Sequence, residues 1–221
     1  MIVVHHLNNS RSQRVLWLLE ELGLDYEVKR YERDAQTQLA PPELRAIHPL
    51  GKSPVLDDGD VRVAETGAII EYLLETYGQG RLKPPAGTAE ARRFTYWLHY
   101  AEGSAMTPLL LKLIFSTLPA KSPFLVKPVV KAVSAKVQAL LVDPNIAAHT
   151  ALWEAELAKS EWFAGDAFTA ADIMMSFPIE AGASRVAYGA DKPKLRAFLQ
   201  RIHARPAYQR ALERGGPYAY A

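Results

Sequence analysis

The residues best placed to do chemistry stand near the start of the chain, in the turn Asn8-Asn9-Ser10. This turn follows a short apolar stretch, residues 2–7, and precedes a helical pattern, so we expect Ser10 at a helix N-terminus. Free N–H groups and the helix dipole make that end favourable for anions, and a serine hydroxyl there can donate to one. A structural alternative exists, because Ser10-Arg-Ser-Gln13 has the spacing of a capping box.

A second polar pair, Glu65 and Thr66, stands where another helix is predicted to begin. The Thr66 hydroxyl and the free N–H groups of the first turn can hold a carboxylate. Glu65 can accept hydrogen bonds from an ammonium group. The structural alternative for Thr66 is a plain N-cap, which stabilises a helix by about 1 kcal/mol, and the two roles are compatible.

The absence of cysteine restricts the chemistry further. Among its 221 residues the chain has no Cys, which excludes disulfides, thiolate metal sites and cysteine nucleophiles. Any thiol chemistry must therefore use a thiol that a ligand brings. His5 and His6 lie on a predicted strand and point to opposite faces, so they cannot form a paired metal site. No other spacing suggests a metal, and we expect none.

Charge and hydropathy limit the class of protein. The net charge of +2 argues against a dedicated nucleic-acid-binding protein. Residues 1–80 hold 8 Lys/Arg and 13 Asp/Glu, a net of −5, whereas the rest of the chain has a net of +7, which fits two domains. The apolar stretches are far shorter than the roughly 20 residues that cross a bilayer, and no signal peptide is recognisable. We therefore expect a cytoplasmic protein with no membrane partner.

The elements fall into two groups along the chain. Apolar periodicity and the turn Asp58-Gly59 predict the order β-α-β-α-β-β-α over residues 1–80, beginning with a parallel βαβ unit. A proline-containing linker follows over 81–88, and residues 89–221 are predicted to be helical throughout. Within them we expect one long helix over 89–115. A later helix, ending near Lys159, is expected to be interrupted near Asp143-Pro144.

This plan and three motifs resemble the cytosolic glutathione transferase superfamily. Residues 48–56, His-Pro-Leu-Gly-Lys-Ser-Pro-Val-Leu, are similar to its Asn-Pro-x-Gly-x-Val-Pro-x-Leu stretch. Residues 65–73 are similar to its Glu-Ser-x-Ala-Ile-x-x-Tyr-Leu stretch, and residues 169–173 to its second-domain capping box. The resemblance implies a thioredoxin-like domain over 1–80 and an all-α domain over 89–221. The first helix resembles that of a bacterial and fungal serine-type subgroup.

The resemblance also implies glutathione as co-substrate and a role for each matching residue. Pro54 matches the family's cis-proline, and the backbone of Ser53 would pair with the cysteinyl part of glutathione. Lys52 would meet the glycine carboxylate, although an exposed surface lysine is the equal alternative. Glu65 and Thr66 would take the γ-glutamyl end.

Ser10 is the catalytic candidate that the resemblance implies. A free thiol has a pKa of about 8.5, and a hydroxyl donor beside a helix N-terminus can lower it. Asn9 and Ser12 are rival donors within one or two positions, and the capping-box alternative for Ser10 stays open. Arg11 and Arg14 can add positive potential or form a solvated face.

The pocket for the second substrate is expected between the domains, lined by the helix over 89–115. The candidates are Tyr96, Tyr100, Met106 and Leu110, with His99 beside them, and the alternative for the tyrosines and Met106 is a place in the core. Glu102 and Ser104 are further candidates for reaching the glutathione of a partner subunit. We interpret Thr169 and Asp172 as a helix cap that serves folding.

The function that follows is glutathione S-transferase activity, in which a glutathione thiolate attacks a hydrophobic electrophile, as in detoxification. Two alternatives stay open: a glutathione-dependent peroxidase or disulfide reductase, and a weakly catalytic glutathione-binding interaction module. The resemblance implies a homodimer. The identity of the electrophile does not follow from the sequence.

Overall fold

A computed structural model of the chain describes residues 1–186 and 188–220. The first half contains β1 (Ile2–Leu7), α1 (Gln13–Leu22), β2 (Tyr26–Tyr31), α2 (Glu43–Ile47), β3 (Val55–Asp58), β4 (Val61–Ala64) and α3 (Thr66–Tyr77). This is the predicted order β-α-β-α-β-β-α. The expectation of a thioredoxin-like first domain is therefore confirmed.

The four strands form one mixed sheet in the order β2-β1-β3-β4. β1 runs parallel to β2 and antiparallel to β3, and β3 pairs with β4 as the predicted hairpin. Gly59 at the hairpin turn has a φ of +58°, a conformation that glycine adopts without strain. Since β1 is central and its chain continues into the turn before α1, the sheet fixes the position of Ser10.

The second half is helical, as expected. It contains α4 (Ala89–Tyr100), α5 (Met106–Thr117), α6 (Lys127–Val137), α7 (Asp143–Lys159), α8 (Ala170–Val186), α9 (Pro193–His203) and α10 (Pro206–Gly215). The linker predicted over 81–88 lies between the end of α3 and the start of α4.

Two helices are interrupted by wider, π-helical turns. The single helix predicted over 89–115 is wrong in detail, because residues 101–105 form such a turn between α4 and α5. Pro108 has no N–H to offer the carbonyl of Ser104, so a regular α-helical ladder cannot continue there. The interruption expected near Asp143-Pro144 is confirmed: a π-helical turn over 138–142 precedes α7, and Pro144 lies in the first turn of α7.

α1 is the most deeply buried helix of the first domain. Its residues Val15 to Leu19 are all 0% exposed, because the helix contacts α3 and β1 as well as α8 and α10. The Trp17 ring meets the Tyr208 ring edge-on, with centroids 5.1 Å apart. Each fully buried large apolar side chain contributes about 1.5–3 kcal/mol, so this packing holds the N-terminus of α1 in place.

The cap predicted at the start of α8 is confirmed. The Asp172 carboxylate accepts hydrogen bonds from the Thr169 amide at 2.9 Å and the Thr169 hydroxyl at 3.1 Å. Its other oxygen accepts from the Phe163 amide at 2.8 Å. Burial raises the pKa of Asp172 to about 6, while these hydrogen bonds oppose the rise. The residue ties the loop before α8 to the helix.

His5 and His6 point to opposite faces of the sheet, as predicted. His5 contacts the Tyr31 hydroxyl at 2.9 Å and Asp57 at 3.1 Å, whereas His6 faces Ser12. Within residues 1–186 and 188–220, no three His, Asp or Glu side chains gather as a metal ion would require. In the same part of the chain, no helix combines the length and apolar character needed to span a bilayer.

Candidate functional site

The turn between β1 and α1 carries the two candidate catalytic side chains. Asn9 has a φ of +49°, a left-handed conformation that asparagine tolerates better than most residues. Its side-chain oxygen accepts a hydrogen bond of 2.8 Å from the Ala219 amide. Asn9 is thus tied to the C-terminal segment.

Ser10 lies in a buried chain of hydrogen bonds. Its Oγ is 2.6 Å from Ser12 Oγ, which is in turn 2.9 Å from His6 Nδ1. Ser10 Oγ also accepts from the Ser12 amide at 3.3 Å. Ser12 is fully buried and Ser10 is 5% exposed, so of these two serines only Ser10 has surface that a ligand can touch.

The capping-box alternative for Ser10 is wrong. In such a box the serine hydroxyl would bond the Gln13 amide and the Gln13 side chain would reach back. Here Ser10 Oγ accepts from Ser12 instead, and the buried side-chain oxygen and nitrogen of Gln13 have no hydrogen-bond partner within the described residues. The reciprocal contacts of a capping box are therefore missing, and Ser10 Oγ instead accepts from the amide two positions along the chain.

The loop before β3 faces this turn. The Ser53–Pro54 peptide bond is cis, as expected. Ser53 Oγ donates to the His5 carbonyl at 2.7 Å and accepts from the Leu7 amide at 3.1 Å. The serine side chain therefore fixes the loop to the end of β1, a contact that the sequence did not reveal.

A cavity of about 410 Å³ opens between the turn and this loop. Asn9, Ser10, Lys52 and Ser53 all line it. Four of its lining residues are cations, namely Arg11, Arg33, Arg45 and Lys52, and none of the lining residues is acidic. The lining is therefore cationic, and its electrostatics favour an anionic ligand over a cationic one.

Arg14 lies deep beside the cavity. Its side chain is 1% exposed, donates to the Met174 carbonyl at 2.8 Å and forms an ion pair with Glu102. Glu102 also pairs with Arg11 at 2.9 Å. The solvated-face alternative is thus wrong for Arg14. One oxygen of Glu102 pairs with Arg11 and the other with Arg14, both in the same chain. The carboxylate is therefore engaged within its own subunit rather than left free for a partner subunit.

Glu65 and Thr66 stand at the start of α3, as predicted, but do not line this cavity. Glu65 is exposed with a φ of +72°, a strained conformation for a residue other than glycine, and Thr66 is buried. Burial lowers the pKa of the Arg11 guanidinium, and the carboxylates of Glu102 and, more weakly, Glu65 oppose this shift. Of the two residues, Glu65 is therefore the one whose charge reaches the cationic lining.

The four electrophile candidates are not brought together. Leu110 lines the cavity and is 49% exposed. Tyr100 and Met106 are buried in the core, where the Tyr100 hydroxyl bonds His149 and accepts from Trp153. Tyr96 is exposed beside a different hollow, shared with Arg92, Arg93, Trp97, Leu152 and Glu156. A helix presents successive residues in different directions, so α4 and α5 cannot aim all four at one cavity.

Comparison with known proteins identifies the family. The model described as "Glutathione S-transferase, N-terminal domain" matches residues 1–75, and the one described as "Glutathione S-transferase, C-terminal domain" matches residues 114–206. Glutathione S-transferase 3 of Schizosaccharomyces pombe is 34% identical over 217 residues, which are 97% of this chain and 88% of that protein. The chain belongs to the glutathione S-transferase family.

Two further relatives agree with this family. Glutathione S-transferase 1 of Saccharomyces cerevisiae is 33% identical, covering 97% of this chain and 95% of its own. The crystal structure of a glutathione S-transferase from Actinobacillus pleuropneumoniae has 34% identity and a TM-score of 0.81, covering 100% of this chain and 95% of that one. The glutathione S-transferase fold therefore extends over the whole described chain.

Some residues of the cavity were missed by sequence reasoning. Arg33 and Arg45 lie on loop and short-helix segments whose sequence gives no sign that they face Ser10. Phe177, on α8, lines the same cavity, and the guanidinium of Arg11 lies 5.6 Å from its ring centroid. Only the tertiary fold brings these segments together.

Proposed function

We propose that this glutathione S-transferase holds glutathione in the cationic cavity beside Ser10. The observation that carries the proposal is the lining itself, with four cations and no carboxylate. Glutathione has two carboxylates and one ammonium group, so its net charge at neutral pH complements such a lining. Lys52, exposed at the rim, is the candidate partner for the glycine carboxylate.

The loop before β3 is the proposed partner of the cysteinyl part. Gly51, Lys52 and Ser53 line the cavity, so the backbone of this loop is accessible to a ligand. Because Ser53 Oγ is bonded to His5 and Leu7, the loop is held before any ligand arrives. A ligand that pairs with the Ser53 backbone would lie against this loop as a short strand does.

The start of α3 is the proposed partner of the γ-glutamyl end. The exposed Glu65 carboxylate can accept from the ligand ammonium, and the free N–H groups of the first turn favour the adjacent carboxylate. Thr66 supplies the hydroxyl at that turn. This role requires the ligand to extend beyond the cavity toward Glu65.

The proposed reaction is conjugation at the glutathione sulfur. The thiol gives its proton to solvent water, the thiolate attacks an electrophilic carbon, and the S–C bond forms as a leaving group such as chloride departs with the electrons of its bond. Ser10, at the positive end of α1, is the candidate donor to the thiolate, as in the serine-type subgroup. Lowering the thiol pKa by two units requires about 2.7 kcal/mol of differential stabilisation. The electrophile is expected to be apolar, since Leu110 and Phe177 line the same cavity.

We place this reaction in the cytoplasm, where glutathione maintains a reducing pool. Without a cysteine of its own, the protein depends on that pool for its thiol.

Two variants test the proposal. Ser10→Ala should retain binding to immobilised glutathione but lower kcat/KM with a chloronitrobenzene about 10- to 150-fold, the equivalent of a charge-assisted hydrogen bond. Asn9→Ala should cause a smaller loss, and Ser122→Ala, a loop serine outside the cavity, should behave as wild type. No binding at millimolar glutathione would contradict the proposed function, and a greater loss in Asn9→Ala would move the donor to Asn9.

A further inference from the structure

The segment that follows α10 returns to the turn between β1 and α1. α10 ends at Gly215, and Gly216 has a φ of +79° and a ψ of −164°, a combination open mainly to glycine. The chain changes direction there. Residues 217–220, here called the strap, then pass Asn9, which lines the cationic cavity.

Two residues of the strap are fixed to α8. The Tyr218 hydroxyl donates to the buried Glu180 carboxylate at 2.8 Å. The Tyr220 ring meets the Phe177 ring edge-on, with centroids 5.5 Å apart. Phe177 and Glu180 are three positions apart on α8 and therefore share one face of that helix. With Tyr218 and Tyr220 held there, the residue between them is held as well.

That residue, Ala219, orients the Asn9 side chain. Its amide donates a hydrogen bond of 2.8 Å to Asn9 Oδ1. Because a backbone N–H bonds only to an acceptor, the oxygen end of the Asn9 amide faces the strap and the NH2 end faces away from it. Within residues 1–186 and 188–220, this NH2 group has no hydrogen-bond partner, and it is not among the buried polar atoms that lack one. Its hydrogens are therefore open to a ligand.

We infer that the strap is a positioning element for the cavity: by holding Asn9 Oδ1, the Ala219 amide turns the Asn9 NH2 group toward the ligand, beside the Ser10 hydroxyl. Asn9 and Ser10 are adjacent in one turn, and both line the cavity. An anionic ligand atom at Ser10 then meets donors from both residues. The inference rests on the proposed function in taking that atom to be the sulfur of glutathione.

The strap decides whether Asn9 attracts or repels a thiolate. An asparagine side chain has a donor end and an acceptor end of nearly the same size, and rotation exchanges them. With the strap in place, the NH2 end faces the sulfur and stabilises the thiolate more than the neutral thiol. Without it, the oxygen end can take that position, where its partial negative charge opposes the thiolate.

Ala219→Pro tests the strap, because proline has no amide hydrogen. The pKa of the bound glutathione thiol, followed by thiolate absorbance, should rise by about half to one unit, a three- to tenfold smaller thiolate-to-thiol ratio. Ala219→Ser keeps the amide at this exposed position and should keep the wild-type pKa. An unchanged pKa in Ala219→Pro, with urea unfolding showing that the variant is folded, would overturn the inference.

Asn9→Asp distinguishes a donor from a tether. The aspartate carboxylate still accepts from the Ala219 amide, but it has no hydrogen for the ligand and adds a negative charge. The pKa of the bound thiol should therefore rise by at least about one unit, a tenfold smaller thiolate-to-thiol ratio, and by more than in Asn9→Ala. If Asn9 only tethers the strap, Asn9→Asp should match wild type, and that result would contradict the inference.

Hydrogen exchange of the Ala219 amide tests the contact without any ligand. We expect this amide to exchange about three- to tenfold faster in Asn9→Ala than in wild type, and to stay protected in Asn9→Asp. Equal exchange in wild type and Asn9→Ala would show that the strap does not hold Asn9. Failure of glutathione to bind would contradict the proposed function instead, and the exchange rates would still decide whether the strap holds Asn9.

Discussion

Asp172 is the residue whose ionisation most clearly opposes folding. Its pKa rises from 3.8 to about 6 in the folded protein because the carboxyl is completely buried. A carboxyl with a raised folded pKa contributes most to stability below about pH 3.8, and the contribution is lost as the pH rises through about 6. A shift of about two units corresponds to about 3 kcal/mol.

We therefore predict a pH-dependent difference between wild type and Asp172→Asn. Between about pH 4 and pH 7, the wild-type free energy of unfolding should fall by up to about 3 kcal/mol relative to the variant, measured by urea titration. Thr169→Ala keeps the carboxyl and should keep this dependence. A difference between wild type and Asp172→Asn that stays constant with pH would contradict the raised pKa.

Single residues were predicted well where their partners are local. The cap at Thr169 and Asp172 spans three positions, and the sequence contained all that it needed. Arg14 could not be predicted in this way, because its partners Glu102 and Met174 lie 88 and 160 positions away. Glu180 could not be predicted either, because its partners are also distant in the sequence. It is buried on α8 and accepts hydrogen bonds from the hydroxyls of Tyr208 and Tyr218.

At the level of elements, Arg14 joins α1 to the π-helical turn between α4 and α5. Arg14 and Arg11 share the Glu102 carboxylate, but their side chains are 1% and 38% exposed. Breaking a buried ion pair leaves a charge without its partner, whereas an exposed pair contributes little. The two arginines therefore form a matched pair for measuring how much this contact stabilises the fold.

We predict that Arg14→Gln lowers the free energy of unfolding by about 2–4 kcal/mol, and Arg11→Gln by less than about 1 kcal/mol. Urea unfolding of both variants at neutral pH measures the difference. Equal losses in the two variants would show that burial of Arg14 adds nothing to the ion pair.

The strands and first-domain helices followed from hydrophobic periodicity and turn residues, and so did most of the second domain. The break between α4 and α5 did not, because residues 101–105 keep a helical pattern while the backbone widens there. The cavity was predictable only in part. Sequence motifs indicated three of its lining residues, Ser10, Lys52 and Ser53. Only the tertiary fold brings Arg33, Arg45 and Phe177 to the cavity.

At the scale of the whole molecule, we predict a homodimer, as the family resemblance implies. Large apolar side chains remain exposed on the segment from Leu110 to Leu141, with Phe124 and Leu125 at 86% and 88%. Exposed apolar side chains of this size favour association with another protein surface. Sedimentation equilibrium should give twice the 24.5 kDa of one chain, and a single-chain mass at micromolar concentration would contradict the prediction.

The central claim is that glutathione occupies the cationic cavity with its sulfur at Ser10. A crystal structure of the protein with glutathione tests it most directly. We predict the glycine carboxylate at Lys52, the cysteinyl backbone paired with Ser53, and the sulfur about 3 Å from Ser10 Oγ, within hydrogen-bond reach. Glutathione bound elsewhere, or a sulfur beyond hydrogen-bond reach of Ser10, would contradict the account.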